Sequence, residues 1–153
     1  MADVVDLARM LDALRGFSPL RRVLLANTGT LQGALSAYFA APVTVEVVSQ
    51  RVDGEAIERV VDLVCKELGV VACHAETTAT VTDLRIRQLL TETGMGIGQI
   101  TALLGLRTTF ELGAAGEGGG AFWRTYRLTG EGFSYRITEV FQADLYPDGD
   151  AGT

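Results

Sequence analysis

The order in which periodic patterns follow one another constrains this chain most. Apolar residues at helical spacing come first, then β-branched runs that alternate with a period of two, then a helical interlude, and finally further strands. Helices do not alternate with strands, so the chain lacks the repeating βαβ units of a parallel sheet. The pattern therefore predicts an α+β fold, in which an antiparallel sheet carries helices on one face.

The predicted elements occupy most of the chain. Helices are predicted over residues 3–15, 30–40, 82–92 and 97–104. Strands are predicted over 43–52, in a hairpin at 58–81 that turns at KELG, and over 108–113, 122–128 and 133–146. Pro19 is expected to break the first helix, the AAGEGGG segment to form a flexible loop, and residues 147–153 to form a polar tail. The chain shows no repeat and no linker, so we expect one domain over residues 1–153.

Composition and charge exclude several classes of protein. The chain has 153 residues, of which 48% are hydrophobic and 21% are charged, as in globular domains. The net charge of -6 argues against a nucleic-acid binder, which needs a basic face. No apolar run approaches the ~18 residues of a membrane span, and the N-terminus lacks a basic, continuously apolar leader. We therefore expect a cytoplasmic protein without membrane association.

Metal and nucleotide chemistry find little support in the sequence. His74 is the only histidine, and the two cysteines do not form a CxxC pair, so a zinc site would lack ligands. GMGIG at 94–98 follows a predicted helix and does not fit GxGxxG, so it does not predict a dinucleotide loop. We expect no metal and no cofactor, and we expect His74 to be a partly exposed strand residue. If the first hairpin turns at Gly69, Cys65 and Cys73 lie opposite each other as free, core-facing thiols.

Two charged residues fall on apolar strand faces. In ERVVDLVC, Arg59 shares its face with Val61, Leu63 and Cys65, because residues two apart in a strand point the same way. In FSYRITEVF, Glu139 shares its face with Ile137 and other apolar residues. Burying either charge alone is costly. An edge position, a mutual salt bridge or a snorkelling side chain would explain them, and so would a pair facing an enclosed ligand.

Several segments together resemble the chorismate lyase family. In chain order they are ERVVDLVC, GMGIGQI, FWRTYRLTG and ITEVFQADLY. The resemblance extends more weakly to LLANTGTLQGAL at 24–35 with VTVEVV after it, and covers most of residues 24–146. It implies an antiparallel sheet of about six strands with the ligand held beneath helical flaps. The N-terminal helix has no clear counterpart in that family.

The resemblance also implies site residues. The ligand-binding arginine of the family corresponds to Arg59, its active-site glutamate to Glu139, and a further contact to Thr28. The flap, usually of Pro-Leu-Gly type, corresponds to Gly96, Ile97 and Gly98, where glycine replaces proline.

The activity implied by the resemblance is the release of pyruvate from chorismate to leave 4-hydroxybenzoate, with a small anionic ring compound as substrate. Arg59 would bind the ring carboxylate and Glu139 would meet the hydroxyl side of the ring. Arg124 or Arg127 would bind the pyruvyl carboxylate, and because they lie on opposite faces of FWRTYRL only one can point inward. Alternatives are a lyase or cyclase of a secondary pathway on the same fold, and a non-catalytic small-molecule-binding domain.

Overall fold

Seven strands and five α-helices make up residues 2–147, the part of the chain described by the structure, a computed structural model. The helices are α1 (Leu7–Ala13), α2 (Pro19–Leu25), α3 (Leu31–Phe39), α4 (Leu84–Glu92) and α5 (Ile97–Leu104). The strands are β1 (Val4–Val5), β2 (Val43–Asp53), β3 (Ala56–Cys65), β4 (Val70–Val81), β5 (Thr109–Gly118), β6 (Ala121–Gly130) and β7 (Phe133–Gln142). The predicted polar tail lies outside the described residues beyond Pro147.

All seven strands belong to one sheet in the order β1-β5-β6-β7-β4-β3-β2. Neighbouring strands are antiparallel except for β1, which pairs with β5 in parallel. Four of the antiparallel pairs are hairpins between consecutive strands, and β4 with β7 joins the two hairpin groups. The predicted α+β class is confirmed, whereas the sheet has seven strands and is mixed rather than purely antiparallel.

The N-terminal segment differs from the helix predicted over 3–15. Val4 and Val5 extend along the edge of β5, and α1 begins only after Asp6. The Asp6 side chain accepts a hydrogen bond from the backbone N–H of Arg9 and so caps the helix. A second helix, α2, follows where Pro19 was expected to be a breaker. Pro19 occupies the first turn of α2, where its missing N–H costs no helical hydrogen bond.

The glycine-rich segment after residue 113 is strand rather than loop. β5 continues to Gly118, and the turn into β6 is made by Gly119 and Gly120, whose φ angles are 62° and 80°. Gly116 has no side chain and so leaves room for the Trp123 ring on β6. A Cβ at position 116 would lie 2.6 Å from that ring. At the same end of the sheet β7 stops at Gln142, which pairs with Ala121, because residues Ala143–Leu145 form a 3₁₀ turn.

One sheet face and the helices share a single core. Buried side chains of that face, which we call the inner face, cluster with buried helical residues such as Leu25, Leu35 and Ile100. No described helix has the length and apolar character needed to cross a membrane.

Cys65 and Cys73 are both free and buried in the core. The prediction that they face each other is wrong, since a register shift after Leu63 pairs Cys65 with Val70 and Cys73 with Leu63.

Candidate functional site

A cavity of about 100 Å³ lies between the inner face of the sheet and the helices. Its walls come from the loop that precedes α3, the first turn of α5 and strands β2 to β7. Most of the strand side chains that line it are apolar: Val45, Val61, Leu63, Ala75, Phe110, Leu128 and Ile137. A cavity with apolar walls and a few convergent polar groups is the usual form of a small-molecule site.

Arg59 is the basic side chain of this cavity. It lies on the inner face of β3 and is 3% exposed. Its Nε and Nη2 atoms are buried and have no hydrogen-bond partner. Burial lowers the pKa of the guanidinium, although a nearby tyrosine, Tyr135, opposes that shift. A buried cation with unused donors is costly unless an anion meets it, so this side chain points to an anionic ligand.

Glu139 lines the same cavity from β7 and is 5% exposed. Its Oε1 accepts a hydrogen bond of 2.6 Å from Nε of Arg124, and its Oε2 accepts one of 3.1 Å from the Tyr126 hydroxyl. The residue opposite Glu139 on β6 is Arg124, whereas Arg59 lies on β3, beyond β4. Glu139 therefore forms its ion pair with Arg124 and not with Arg59.

Arg124 is the arginine of FWRTYRL that points inward, and it is 1% exposed. Besides Glu139 it contacts the backbone, since its Nη1 donates to the carbonyls of Leu25 at 2.8 Å and Asn27 at 2.6 Å. Burial alone would lower the pKa of Arg124, but the Glu139 carboxylate, together with Tyr126 and Cys73, outweighs this and raises it. Arg124 is not among the residues lining the cavity. It holds Glu139 and the end of α2 together rather than offering its fork to a ligand.

Arg127 lies outside the site. It is exposed on the opposite face of β6, between Glu111 of β5 and Arg136 of β7. Three positions separate it from Arg124, and an odd spacing in a strand places two side chains on opposite faces. Of the two arginines that the sequence left open, Arg124 is thus the one on the inner face, and neither of them lines the cavity.

The predicted flap does border the cavity. Gly96, Ile97 and Gly98 line it as the start of α5, and Thr28 lines it from the loop before α3. A Cβ on Gly96 would lie 3.1 Å from Val45, so a larger residue would crowd the cavity wall, whereas one on Gly98 would make ordinary contacts.

The first turns of α3 and α5 both border the cavity. The Thr30 side chain makes no cap hydrogen bond to α3, and Gly96, which precedes α5, has no side chain to do so, although its own N–H donates to Oε1 of Gln99 at 2.8 Å. The N-terminus of a helix favours negative charge. Together with Arg59 they make this end of the cavity favourable for negative charge.

The sequence analysis missed several polar residues of the site, among them Tyr126 and Asn27. Tyr126 follows Arg124 by two residues, so the alternation of FWRTYRL already placed it on the inner face. Asn27 also lines the cavity, with its buried Oδ1 unpaired. No pattern marked Asn27, because its position depends on α2, a helix that the sequence did not predict.

His74 is on the outer face, away from the cavity. Its Nδ1 lies 2.7 Å from Asp62, its Nε2 lies 3.6 Å from Glu76, and 42% of its side chain is exposed. It is thus a partly exposed strand residue, as predicted. Residues 2–147 contain no cluster of three or more His, Cys, Asp or Glu side chains suited to a metal ion.

The chain matches no protein-family model and no curated protein sequence. The resemblance to chorismate lyases accordingly depends on the motifs quoted above and on what their residues do in the site.

Proposed function

We propose that this protein is a cofactor-independent carbon–oxygen lyase of the chorismate lyase type, which releases pyruvate and leaves 4-hydroxybenzoate or a related hydroxybenzoate. One observation carries the proposal. The buried guanidinium of Arg59, with Nε and Nη2 unpartnered, lines an apolar cavity that also contains the fixed carboxylate of Glu139. A ring with a carboxylate at one end and a hydroxyl at the other fits these two groups.

The charges of the cavity suit an anionic ring. Arg124 neutralises Glu139, so the charge of Arg59 remains for the ligand. Arg59 is the one Lys or Arg side chain among the described residues lining the cavity. It would take the ring carboxylate in its fork. The second carboxylate of chorismate would then depend on the N-terminal turns of α3 and α5, which border the cavity and favour negative charge.

The reaction places modest demands on the protein. The ring carbon that bears the hydroxyl loses a proton, the ether C–O bond breaks with its electron pair going to the enolpyruvate oxygen, and the enolpyruvate takes up a proton to become pyruvate. Aromatisation supplies much of the driving force. The protein must orient the dianion and stabilise the departing enolpyruvate, which fixed groups in an enclosed cavity do well. Glu139 lies on the hydroxyl side of the ring in this arrangement.

A direct assay tests the proposal. Full-length protein is incubated with chorismate while 4-hydroxybenzoate is followed by absorbance and pyruvate by a coupled reaction. We expect both products in equal amounts, and we expect the activity to survive exhaustive chelation. Two outcomes would count against the mechanism. One is that neither product forms, and the other is that EDTA abolishes the activity and a divalent ion restores it.

Glu139→Gln tests the role of the carboxylate. It should lower turnover by roughly 10²–10⁴-fold, the usual contribution of acid–base assistance. It should also lower the melting temperature, because Arg124 loses its counter-charge. Assays must therefore run well below both melting temperatures. Glu58→Gln is the control, since Glu58 is exposed on the outer face. Wild-type turnover in Glu139→Gln would restrict Glu139 to a structural role.

A second candidate is a non-catalytic protein that binds aromatic carboxylates. It is favoured by the engagement of both Glu139 oxygens, each of which already accepts a hydrogen bond within the protein. Calorimetric binding of 4-hydroxybenzoate without conversion of chorismate would support it over the lyase.

A further inference from the structure

Tyr126 is a site residue to which neither the sequence motifs nor the proposed reaction assigns a role. It lines the cavity from β6, and its hydroxyl donates to Oε2 of Glu139. The bond measures 3.1 Å, whereas O–H···O bonds most often measure about 2.7–2.8 Å. It is therefore a long bond beside the cavity, and a ligand group can compete for it.

The ring of Tyr126 is held in place by its neighbours. It stacks on Phe110 with centroids 4.7 Å apart, and the guanidinium of Arg124 lies 4.5 Å from its centroid. Burial, and next the negative charge of Glu139, raise the pKa of the phenol well above its ordinary value. The hydroxyl thus stays protonated and remains a donor at neutral pH.

Only one oxygen of the Glu139 carboxylate can exchange its bond to Tyr126 for a bond to a ligand. Its Oε1 is engaged by Nε of Arg124, at 2.6 Å. Arg124 itself cannot swing away freely, because its Nη1 is bonded to the carbonyls of Leu25 and Asn27. A ligand in the cavity therefore meets Oε2, the oxygen that Tyr126 also contacts.

We propose that Tyr126 determines which ring ligands this cavity accepts, by donating to a ligand hydroxyl that in turn donates to Oε2 of Glu139. Arg124 is a positioning residue in this arrangement, since it orients Glu139 without touching the ligand. A ligand hydroxyl is both donor and acceptor, so it can bond to Tyr126 and Oε2 together, whereas a group that cannot donate gives Oε2 nothing in place of the Tyr126 bond. The inference rests on the proposed function, because Arg59 must hold the carboxylate for the hydroxyl to reach this end.

Two ligands of nearly equal size separate this role from simple packing. 4-Hydroxybenzoate and 4-fluorobenzoate carry the same carboxylate, but fluorine cannot donate a hydrogen bond. Calorimetry with full-length wild-type protein should show 4-hydroxybenzoate binding about tenfold more tightly. In Tyr126→Phe that ratio should fall by about three- to tenfold, as expected for one hydrogen bond. Affinity for 4-fluorobenzoate should change little.

A second tyrosine supplies the matched control. The Tyr146 hydroxyl donates to the Ala72 carbonyl, is buried, and lies outside the cavity lining. Tyr146→Phe should lower the melting temperature without changing the ligand ratio. If the wild type discriminates and Tyr126→Phe keeps the wild-type ratio, or if Tyr146→Phe loses it equally, the role of Tyr126 is overturned while the proposed function stands. If the wild type binds neither benzoate, the role of Tyr126 is overturned, and the chorismate assay decides separately whether the proposed function stands.

Discussion

Arg59 and Arg124 are both buried on the inner face of one sheet, yet their surroundings are opposite. Arg124 has a carboxylate, two backbone carbonyls and two aromatic rings around its guanidinium. Arg59 has an apolar cavity, and its Nε and Nη2 are unpartnered. A buried cation whose donors are bonded to protein groups helps to hold the folded structure together. A buried cation with unbonded donors destabilises it, and an anionic ligand can remove that cost. The difference supports a structural role for Arg124 and the binding role that we propose for Arg59.

The sheet order explains why Glu139 pairs with one arginine and not the other. β6 is next to β7, so Arg124 is directly across from Glu139, while β4 separates β7 from β3. Across β4, Arg59 aligns with Ile137 rather than with Glu139, so Glu139 is two strands and two residues away from it. Both side chains nevertheless line the same cavity.

The largest effect is expected from Arg124→Met. This change leaves the buried Glu139 carboxylate without a counter-charge and removes the bonds to Leu25 and Asn27. The free energy of unfolding should fall by about 3–5 kcal/mol. Urea unfolding measures it, and Arg127→Met is the control, because Arg127 is exposed on the same strand. If the free energy of unfolding falls by less than ~1 kcal/mol, Arg124 does not have the structural role that distinguishes it from Arg59.

Arg59→Met should have the opposite effect: it should weaken ligand binding and leave the free energy of unfolding largely unchanged. Stability should stay unchanged or rise by up to about 1 kcal/mol, because a buried charge with unused donors disappears. Affinity for an aromatic carboxylate should fall by about 2–4 kcal/mol, measured by calorimetry. Arg59→Lys should restore only part of that affinity, since an ammonium lacks the planar fork. Unchanged affinity in Arg59→Met would take Arg59 out of the site.

The sequence alone located both charged site residues but not their partners. Arg59 and Glu139 stand out because two-residue alternation is local information, carried by each strand by itself. Which arginine meets Glu139 depends on the strand order, and that is set by contacts far apart in the chain. The mutual Arg59–Glu139 salt bridge, one of the alternatives from the pattern, is therefore not what the structure contains.

The errors along the chain share a similar cause. A proline that breaks a helix and one that begins a helix look alike until the helix start is known, and Pro19 begins α2. Gly116 was taken for flexibility, but its missing side chain makes room for Trp123 on the neighbouring strand. The cysteine register failed because a one-residue shift after Leu63 cannot be seen in an alternation pattern.

The smallest effect on stability is expected from His74, a partly exposed residue on the outer face of the sheet. The hydrogen bond to Asp62 raises the pKa of His74, burial lowers it somewhat, and Glu76 adds to the rise. Because the folded pKa exceeds the unfolded value of about 6.5, the stabilisation is fully present below that pH and is lost as the pH rises through the folded pKa. Solvent screens this pair, so the effect should not exceed about 1 kcal/mol.

Comparing His74→Gln with the wild type isolates this contribution, because the variant keeps a polar side chain but cannot become charged at this position. Urea unfolding of both proteins at about pH 5.5 and about pH 8.5 should show the wild-type advantage at the lower pH and its loss at the higher one. A wild-type advantage that grows with pH would show that neutral His74, not the charged form, stabilises the fold.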